Sequence, residues 1–296
     1  MLSILIPVFN TDVSELVFSI RTMAETLNLV YEIRLADDAS TDFQTRSKNQ
    51  FLIGLQHCTY TQFETNRGRT ATSQFLAEEA RYDWLLFLDA DVMPVNSDFL
   101  EQIVLNMQRA QVIFGGIAYS KEFPENNKML RWVYGKNRES RLKKEREFNP
   151  YKSITAAGLA ITKSLYLELN MPLTNLYGLD IYLTYRLKKL KAVVLHLENP
   201  VMHLGLEDSE SYLQKTYEGL QTLVYLQRHD LIAEDYRPLQ QIALKMQKTG
   251  VANGYIKLFH RIQKKVIKNL LSSKPSLKLF DAYRLYYFLK ILKEDA

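Results

Sequence analysis

The sequence predicts an α/β protein with a mostly parallel sheet flanked by helices on both faces, followed by a helical C-terminal extension. Three observations lead there. Apolar runs of strand length alternate with segments of helical spacing through the first half of the chain. Several of those runs end abruptly in polar or acidic residues. The net charge of +5 on the 296 residues is confined to the last third, because residues 1–206 carry 23 basic and 23 acidic side chains and residues 207–296 carry 15 and 10.

Ser3 to Phe9 reads as the first strand, and Asn10, Thr11 and Asp12, with Asp12 as the expected N-cap, lead into a helix from Val13 to Leu29. Tyr31 to Ala36 is the second strand; it ends in Asp37 and Asp38, followed by Ala39, Ser40, Thr41 and Asp42. A helix from Gln44 to Leu55 and a short strand from Cys58 to Glu64 follow, and then Asn66, Arg67, Gly68 and Arg69 open a helix that runs to about Ala80. The run WLLFLDADV, Trp84 to Val92, is a buried strand that delivers Asp89 and Asp91 at its C-terminal edge. Ser97 to Arg109 is helical in spacing, and Val112 to Ala118 is the next strand. In sheets of this kind the ligand crevice lies at the carboxyl ends of the strands. Pro7 to Asn10, Asp37 to Ser40 and Asp89 to Asp91 are therefore expected along one crevice.

Composition narrows the function classes. The chain is long enough to bury a full core, and 47% of it is apolar. The opening MLSILIPVFN is too short to span a bilayer and lacks a positive leader, so it reads as a strand and neither as a signal peptide nor as an anchor. The single cysteine, Cys58, excludes an internal disulfide and fits a reducing compartment, and with five histidines it argues against a Cys/His zinc cluster. From Lys245 onward twelve basic residues face three acidic ones, interleaved with aromatics such as Tyr255, Phe259, Tyr283 and Tyr286. Such a stretch suits a solvated basic face, an anionic membrane surface or a polyanion.

Asp89 and Asp91 stand at alternate positions, and side chains at alternate positions of an extended strand point the same way, toward one divalent cation. Hard Mg2+ or Mn2+ suits such a pair when phosphate oxygens complete the shell. The plainer reading is a strand that ends in a solvated turn.

Three motifs in order and spacing, ILIPVFN, LADDASTD and LLFLDADV, resemble those of the GT-A fold glycosyltransferases, and among these the nucleotide-sugar-dependent family 2. Further on, GLDIYLTYRLKK (178–189) resembles the segment that carries the family's catalytic carboxylate, and HLENPVMHLG resembles the strand and histidine that close the site. The resemblance covers Met1 to Gly205. It implies a GT-A domain at 1–206, divided into a donor half at 1–118 and an acceptor and catalytic-base half at 119–206, with residues 207–296 as the helical basic extension. It also implies a metal-dependent, inverting transfer from a nucleoside diphosphate sugar, UDP favoured, to a hydroxyl of a glycan or lipid-linked acceptor in polysaccharide biosynthesis. Asp91 would hold Mg2+ or Mn2+, with His203 completing the shell or contacting the diphosphate. Asp89 would reach the metal through water or contact the ribose. Arg69 would pair with phosphate oxygens, Asp38 would accept the ring N–H of the base, and Pro7 and Phe9 would border it, Phe9 with an apolar face. Asp180 would be the general base. The extension is expected to dock on the inner face of the membrane or to dimerise, in a cytoplasmic protein without nucleic-acid partners. The chain departs from the family pattern at Thr72, Ser73 and Gln74, where an Ala-Arg-Asn run is common, and at Leu179, where a glutamate usually precedes the aspartate.

Each assignment has a plainer counterpart. Asp37 is expected to cap or bond backbone, Arg69 suits a surface ion pair, His203 a satisfied core position, and Asp180 a helix N-terminus favoured by the dipole. His196 is expected to be structural. The charged segment from Lys121 to Lys152 reads as a solvated helix or loop, or as an acceptor wall, and Gly115, Gly116 and the TAAG of 155–158 as close approaches to the donor sugar. Two other functions compete. A haloacid dehalogenase-type phosphatase also places DxD after an apolar strand, although there the motif opens the fold. A degenerate nucleotide-binding module would keep the pocket without catalysis, as Leu179 and the Thr72–Gln74 change suggest.

Overall fold

The computed structural model describes residues 1–294, and its chain alternates strand and helix as expected. In order come β1 (Leu2–Val8), α1 (Ser14–Thr26), β2 (Tyr31–Asp37), α2 (Phe43–Gln50), β3 (Cys58–Gln62), α3 (Arg69–Glu79) and β4 (Trp84–Leu88). Next are β5 (Val92–Pro94), α4 (Phe99–Val104), β6 (Val112–Phe114), β7 (Ile117–Ala118), α5 (Met129–Tyr134), α6 (Lys143–Phe148), β8 (Gly158–Thr162) and α7 (Lys163–Glu168). The chain continues with α8 (Asp180–Lys189), β9 (Val194–His196), β10 (Val201–His203), α9 (Ser209–Arg228), α10 (Pro238–Lys248), α11 (Ala252–Leu270) and α12 (Leu277–Glu294).

These elements form two compact units. The first comprises Met1–Ser120, Glu139–Asn175 and Arg186–Gly205. Its main sheet has the order β3-β2-β1-β4-β8-β6-β9, and a smaller sheet has the order β5-β10-β7. All pairings of the main sheet are parallel except those of β8, which runs antiparallel to both β4 and β6. Leu2, Ile4, Leu5 and Ile6 of β1 are fully buried, as a strand covered on both faces requires, each contributing about 1.5–3 kcal/mol of burial energy. Register sets the crevice: Val8 lies opposite Asp37, and Leu5 lies opposite Phe87, two residues before Asp89. The ends of β1, β2 and β4 thus reach the same edge of the sheet.

Some boundaries differ from expectation. The run 112–118 is two strands in two sheets, because Gly116 takes φ 98° and turns the chain out of the main sheet. Asp12 does not cap α1; the N-cap is Val13, and Asp12 accepts the N–H of Ser14 within the approach to the helix. Cys58 is buried at the start of β3, and burial pushes its thiol up to about 11, in line with a packing role.

The second unit comprises Lys121–Arg138, Leu176–Tyr185 and the chain from Leu206 onward, so it draws two earlier stretches into the helical region. Leu130 of α5 joins Tyr212, Leu213, Phe259, Val266, Leu270, Phe280, Tyr283 and Tyr286 in its core. Aromatic rings stack within it, Phe259 on Tyr286 at 4.5 Å and Tyr212 on Phe280 at 5.7 Å. Asp208 caps α9 by accepting the N–H of Ser211 at 2.8 Å. Among the described residues no helix is long and apolar enough to cross a membrane.

Candidate active site

The crevice edge is built by side chains that tie one strand end to the next. Asn10 follows β1 in the left-handed region (φ 48°), which asparagine tolerates better than most residues. Its N–H donates to Ser40 Oγ at 2.8 Å, and its Oδ1 accepts the N–H groups of Thr41 (2.7 Å) and Asp42 (2.9 Å). Asp37 is fully buried and, as expected, bonds backbone: Oδ1 accepts the N–H of Ser40 at 2.6 Å, while Oδ2 accepts the Tyr60 hydroxyl. Burial and that carboxylate together raise the Tyr60 phenol well above its ordinary value. Asp38, also buried, holds the turn before α3, its two oxygens accepting the N–H groups of Arg67 (2.7 Å) and Gly68 (2.8 Å). Gly68 is required there, since φ is 85° and a Cβ would come within 2.3 Å of Asn175 Oδ1. Phe9 stands at the lip of the crevice, 47% exposed, beside half-buried Pro7.

The two aspartates after β4 take different partners. The strand ends at Leu88, so Asp89 and Asp91 lie on the turn into β5 and not at alternate positions of one strand. Arg69, the first residue of α3, donates to Asp89 Oδ1 through both Nε (2.9 Å) and Nη2 (2.5 Å). This is the ion pair that the plainer reading of Arg69 describes. Asp91 instead faces His203, with Oδ2 3.6 Å from Nε2. Val92 and His203 are antiparallel register partners in the small sheet, which fixes that separation.

Around His203 the structure adds residues that the sequence did not single out. The Tyr119 ring stacks on the imidazole at 5.4 Å and 24°, and its hydroxyl donates to Glu139. Gly205 lies so close to Asp91 that a Cβ would sit 2.1 Å from Oδ2. Nδ1 of His203 is buried without a hydrogen-bond partner among the described residues. The Asp91–His203 gap exceeds a hydrogen bond, yet two ligand atoms each about 2.1 Å from one ion stand roughly 3–4 Å apart. One carboxylate oxygen and one imidazole nitrogen thus fit the spacing of two ligands to a single Mn2+ or Mg2+. No group of three or more His, Cys, Asp or Glu among the described residues could hold a metal unaided.

Gly115 and Gly116 each accommodate a close approach within the protein. A Cβ on Gly115 would lie 1.8 Å from the carbonyl oxygen of Asn199, and one on Gly116 would meet the Arg146 guanidinium at 3.1 Å. The close approach is to the protein itself. Arg146, from the charged KNRESRLKKERE run, is 1% exposed and donates to the carbonyls of Phe114, Gly115, Leu197 and Arg141. Its Nη1 lies 3.1 Å from His196 Nδ1, and His196 Nε2 lies 2.8 Å from the carbonyl oxygen of Pro150. Since the guanidinium can only donate, Nδ1 accepts and Nε2 carries the proton. His196 is structural, and burial lowers its pKa.

Asp180 belongs to the second unit, as the first residue of α8. Gly178 turns the chain before it at φ 89°, and Leu179, in the place of the family's glutamate, is buried in the apolar interior. Arg237 and Tyr236 both donate to Thr184 Oγ1 at 3.1 Å, one turn further along the helix. Burial lowers the Arg237 pKa, and the Asp180 charge opposes that effect.

Residues 3–164 match glycosyl transferase family 2, more than half of the chain. The chain belongs to that family and is a glycosyltransferase. The match includes Pro7, Phe9, Asp38, Arg69, Asp89 and Asp91 and ends before Asp180 and His203. No curated protein matches the sequence. Among solved structures, a mannosyltransferase from Pyrobaculum calidifontis, in complex with GDP-Man and Mn2+, is similar over 77% of this chain at 14% identity with a TM-score of 0.54. This chain spans 64% of that protein's length. S. aureus TarS in complex with UDP-GlcNAc is similar over 99% of this chain and 91% of its own, at 15% identity and a TM-score of 0.52. Glucosyl-3-phosphoglycerate synthase from Mycobacterium tuberculosis follows at 14% identity, 76% and 79% coverage and a TM-score of 0.50. At such identities the likeness is one of fold.

Proposed function

We propose that this protein is a metal-dependent, inverting glycosyltransferase that moves a sugar from a nucleoside diphosphate sugar, UDP above others, to a hydroxyl of a glycan or lipid-linked acceptor. The observation that carries this reading is the pair of Asp91 and His203, 3.6 Å apart at the sheet edge where β1, β2 and β4 end. Asp91 and His203 hold Mg2+ or Mn2+, which as a Lewis acid offsets the charge that gathers on the departing diphosphate. Arg69, which holds the Asp89 carboxylate through Nε and Nη2, pairs with phosphate oxygens of the donor. Asp38 has about four lone-pair positions, two of them taken by Arg67 and Gly68, and offers another to a ring N–H of the base. Phe9 covers the face of that base, with Pro7 fixing the turn behind it.

Asp180 takes the proton of the acceptor hydroxyl as it attacks the anomeric carbon from the face opposite the diphosphate. A positioned base of this kind contributes about 10² to 10⁴-fold in rate. With Leu179 in the neighbouring place, Asp180 is the carboxylate that this segment supplies. The neighbours' complexes with GDP-Man and with UDP-GlcNAc favour a nucleotide-sugar donor here. We place the reaction in the cytoplasm, in the building of a surface polysaccharide or glycoconjugate.

The test is thermal stability against UDP, GDP, CDP and dTDP, each with Mn2+, Mg2+ or EDTA. A nucleotide at a hundred times its dissociation constant adds about 2.7 kcal/mol to stability. One nucleotide is expected to stabilise the protein only with metal, and Asp91→Ala to abolish that gain. Asp180→Asn is expected to keep the gain and lose transfer. No shift with any nucleotide would sink the proposal, and metal-dependent binding without transfer by the wild type would leave a degenerate binding module.

A further inference from the structure

The second unit contains a charge arrangement that sugar transfer does not use. From Tyr236 to Phe280 the chain runs 45 residues without a single Asp or Glu while carrying ten Lys and Arg. Half of these cations lie on α11, which buries Phe259, Val266 and Leu270 in the aromatic core. Lys257, Arg261, Lys264 and Lys268 follow the i, i+4, i+7, i+11 spacing that lines one face of a helix, and all four are exposed, as is Lys265 beside them. None of the five forms an ion pair with any described residue. Elsewhere many surface cations are paired, as Arg21 is with Glu25 and Arg138 with Asp281. Along the margin of the stripe, Val251, Leu258 and Ile262 are exposed by 52%, 60% and 42%.

We infer that this face of α11 docks the protein on an anionic lipid bilayer. Five cations along one face, none paired with a carboxylate among the described residues, complement a surface of lipid phosphates, and each Lys or Arg held near such a surface strengthens binding about fivefold. The bordering aliphatics are placed to enter the interfacial region once the cations have settled on the headgroups. A second copy of this chain does not fit the same face, since cation would meet cation. Single-stranded nucleic acid is disfavoured because it calls for exposed stacking rings, and the Phe259 ring of this helix is buried. The contact is reversible and salt-sensitive, since the strongest apolar face of α11 is committed to the protein core.

Co-sedimentation of the full chain with vesicles tests this independently of any transferase assay. Vesicles with about 30% phosphatidylglycerol in phosphatidylcholine are expected to bind the protein at low salt, pure phosphatidylcholine not to, and binding to fall steeply as the Debye length shrinks. The variant Lys257→Gln, Arg261→Gln, Lys264→Gln, Lys268→Gln is expected to bind at least about 100-fold more weakly. It should keep the wild-type melting temperature, because the four side chains are exposed and unpaired. Leu258→Ser with Ile262→Ser is expected to weaken vesicle binding about tenfold at unchanged charge. Absence of wild-type binding to the anionic vesicles would overturn the inference. So would preference for heparin or RNA over the vesicles together with indifference to the Leu258 and Ile262 changes, which would mark a general polyanion surface.

Discussion

At the scale of the residue, the candidate site depends on which atoms each acid already holds. Asp38 satisfies the buried N–H of Gly68 and the partly buried N–H of Arg67, so Asp38→Ala is expected to cost about 1–3 kcal/mol as both donors lose their acceptor. A urea midpoint measures that loss, and an unchanged midpoint would show that water replaces the carboxylate. Gly205→Ala makes the opposite demand. Its Cβ would fall 2.1 Å from Asp91 Oδ2, so the carboxylate must swing away. Metal-dependent nucleotide affinity is expected to drop about tenfold or more, roughly 1.4 kcal/mol, with a much smaller change in the melting temperature. That Asp38, Asp89 and Asp91 come to the ends of β2 and β4 was legible in the sequence because each follows closely on an apolar run of strand length. Their partners were not legible. The Arg69–Asp89 pair spans 20 residues and the Asp91–His203 pair more than a hundred, distances over which local spacing carries no information.

At the scale of the element, strand and helix order could be read because periodicity is local, whereas the division of 112–118 between two sheets could not. At that division Arg146, from the segment the sequence reads as a solvated helix or loop or an acceptor wall, packs against Gly116 and bonds the carbonyls beside it. Arg146→Met removes donors to the Phe114, Gly115 and Leu197 carbonyls, of which the first two keep the N–H groups of Leu197 and Asn199, and about 1–3 kcal/mol of stability is expected to go with them. Arg146→Lys should rescue little, since an ammonium cannot reach several carbonyls in a planar fork. Denaturation of the two variants beside the wild type decides the matter, and near-wild-type stability of the lysine variant would refute the bracing role. Gly254 shows the reverse case. It lies within α11 with open space where a Cβ would point, so Gly254→Ala is expected to raise stability by up to about 1 kcal/mol. A melting temperature that fails to rise would count against that assignment.

At the scale of the whole molecule, pH acts in two windows. Burial holds the folded His196 pKa below its usual value of 6.5, so the unfolded chain binds the proton first as pH falls. Stability is therefore expected to decline from about pH 6.5 downward, by at most about 1.4 kcal/mol per pH unit until the folded pKa is reached. Asp12, Asp42 and Asp208 lie below the ordinary carboxylate value of 3.8, held there chiefly by bonds from Ser14, Thr45 and Ser211. Their contribution is complete above that value and disappears as pH falls through the folded pKa values. Urea midpoints from pH 7 to pH 3 should show both declines, and His196→Gln should flatten the upper one alone. A profile unchanged by His196→Gln would refute the first assignment. The pairing of Val92 with His203 reaches further still. A hydrogen-bonded ladder, and not the intervening chain, sets the distance between Asp91 and His203. Loops between the strands from β5 to β10 can lengthen or shorten while Asp91 and His203 stay in register. Insertions and deletions in those loops can therefore accumulate without moving one member of the pair away from the other.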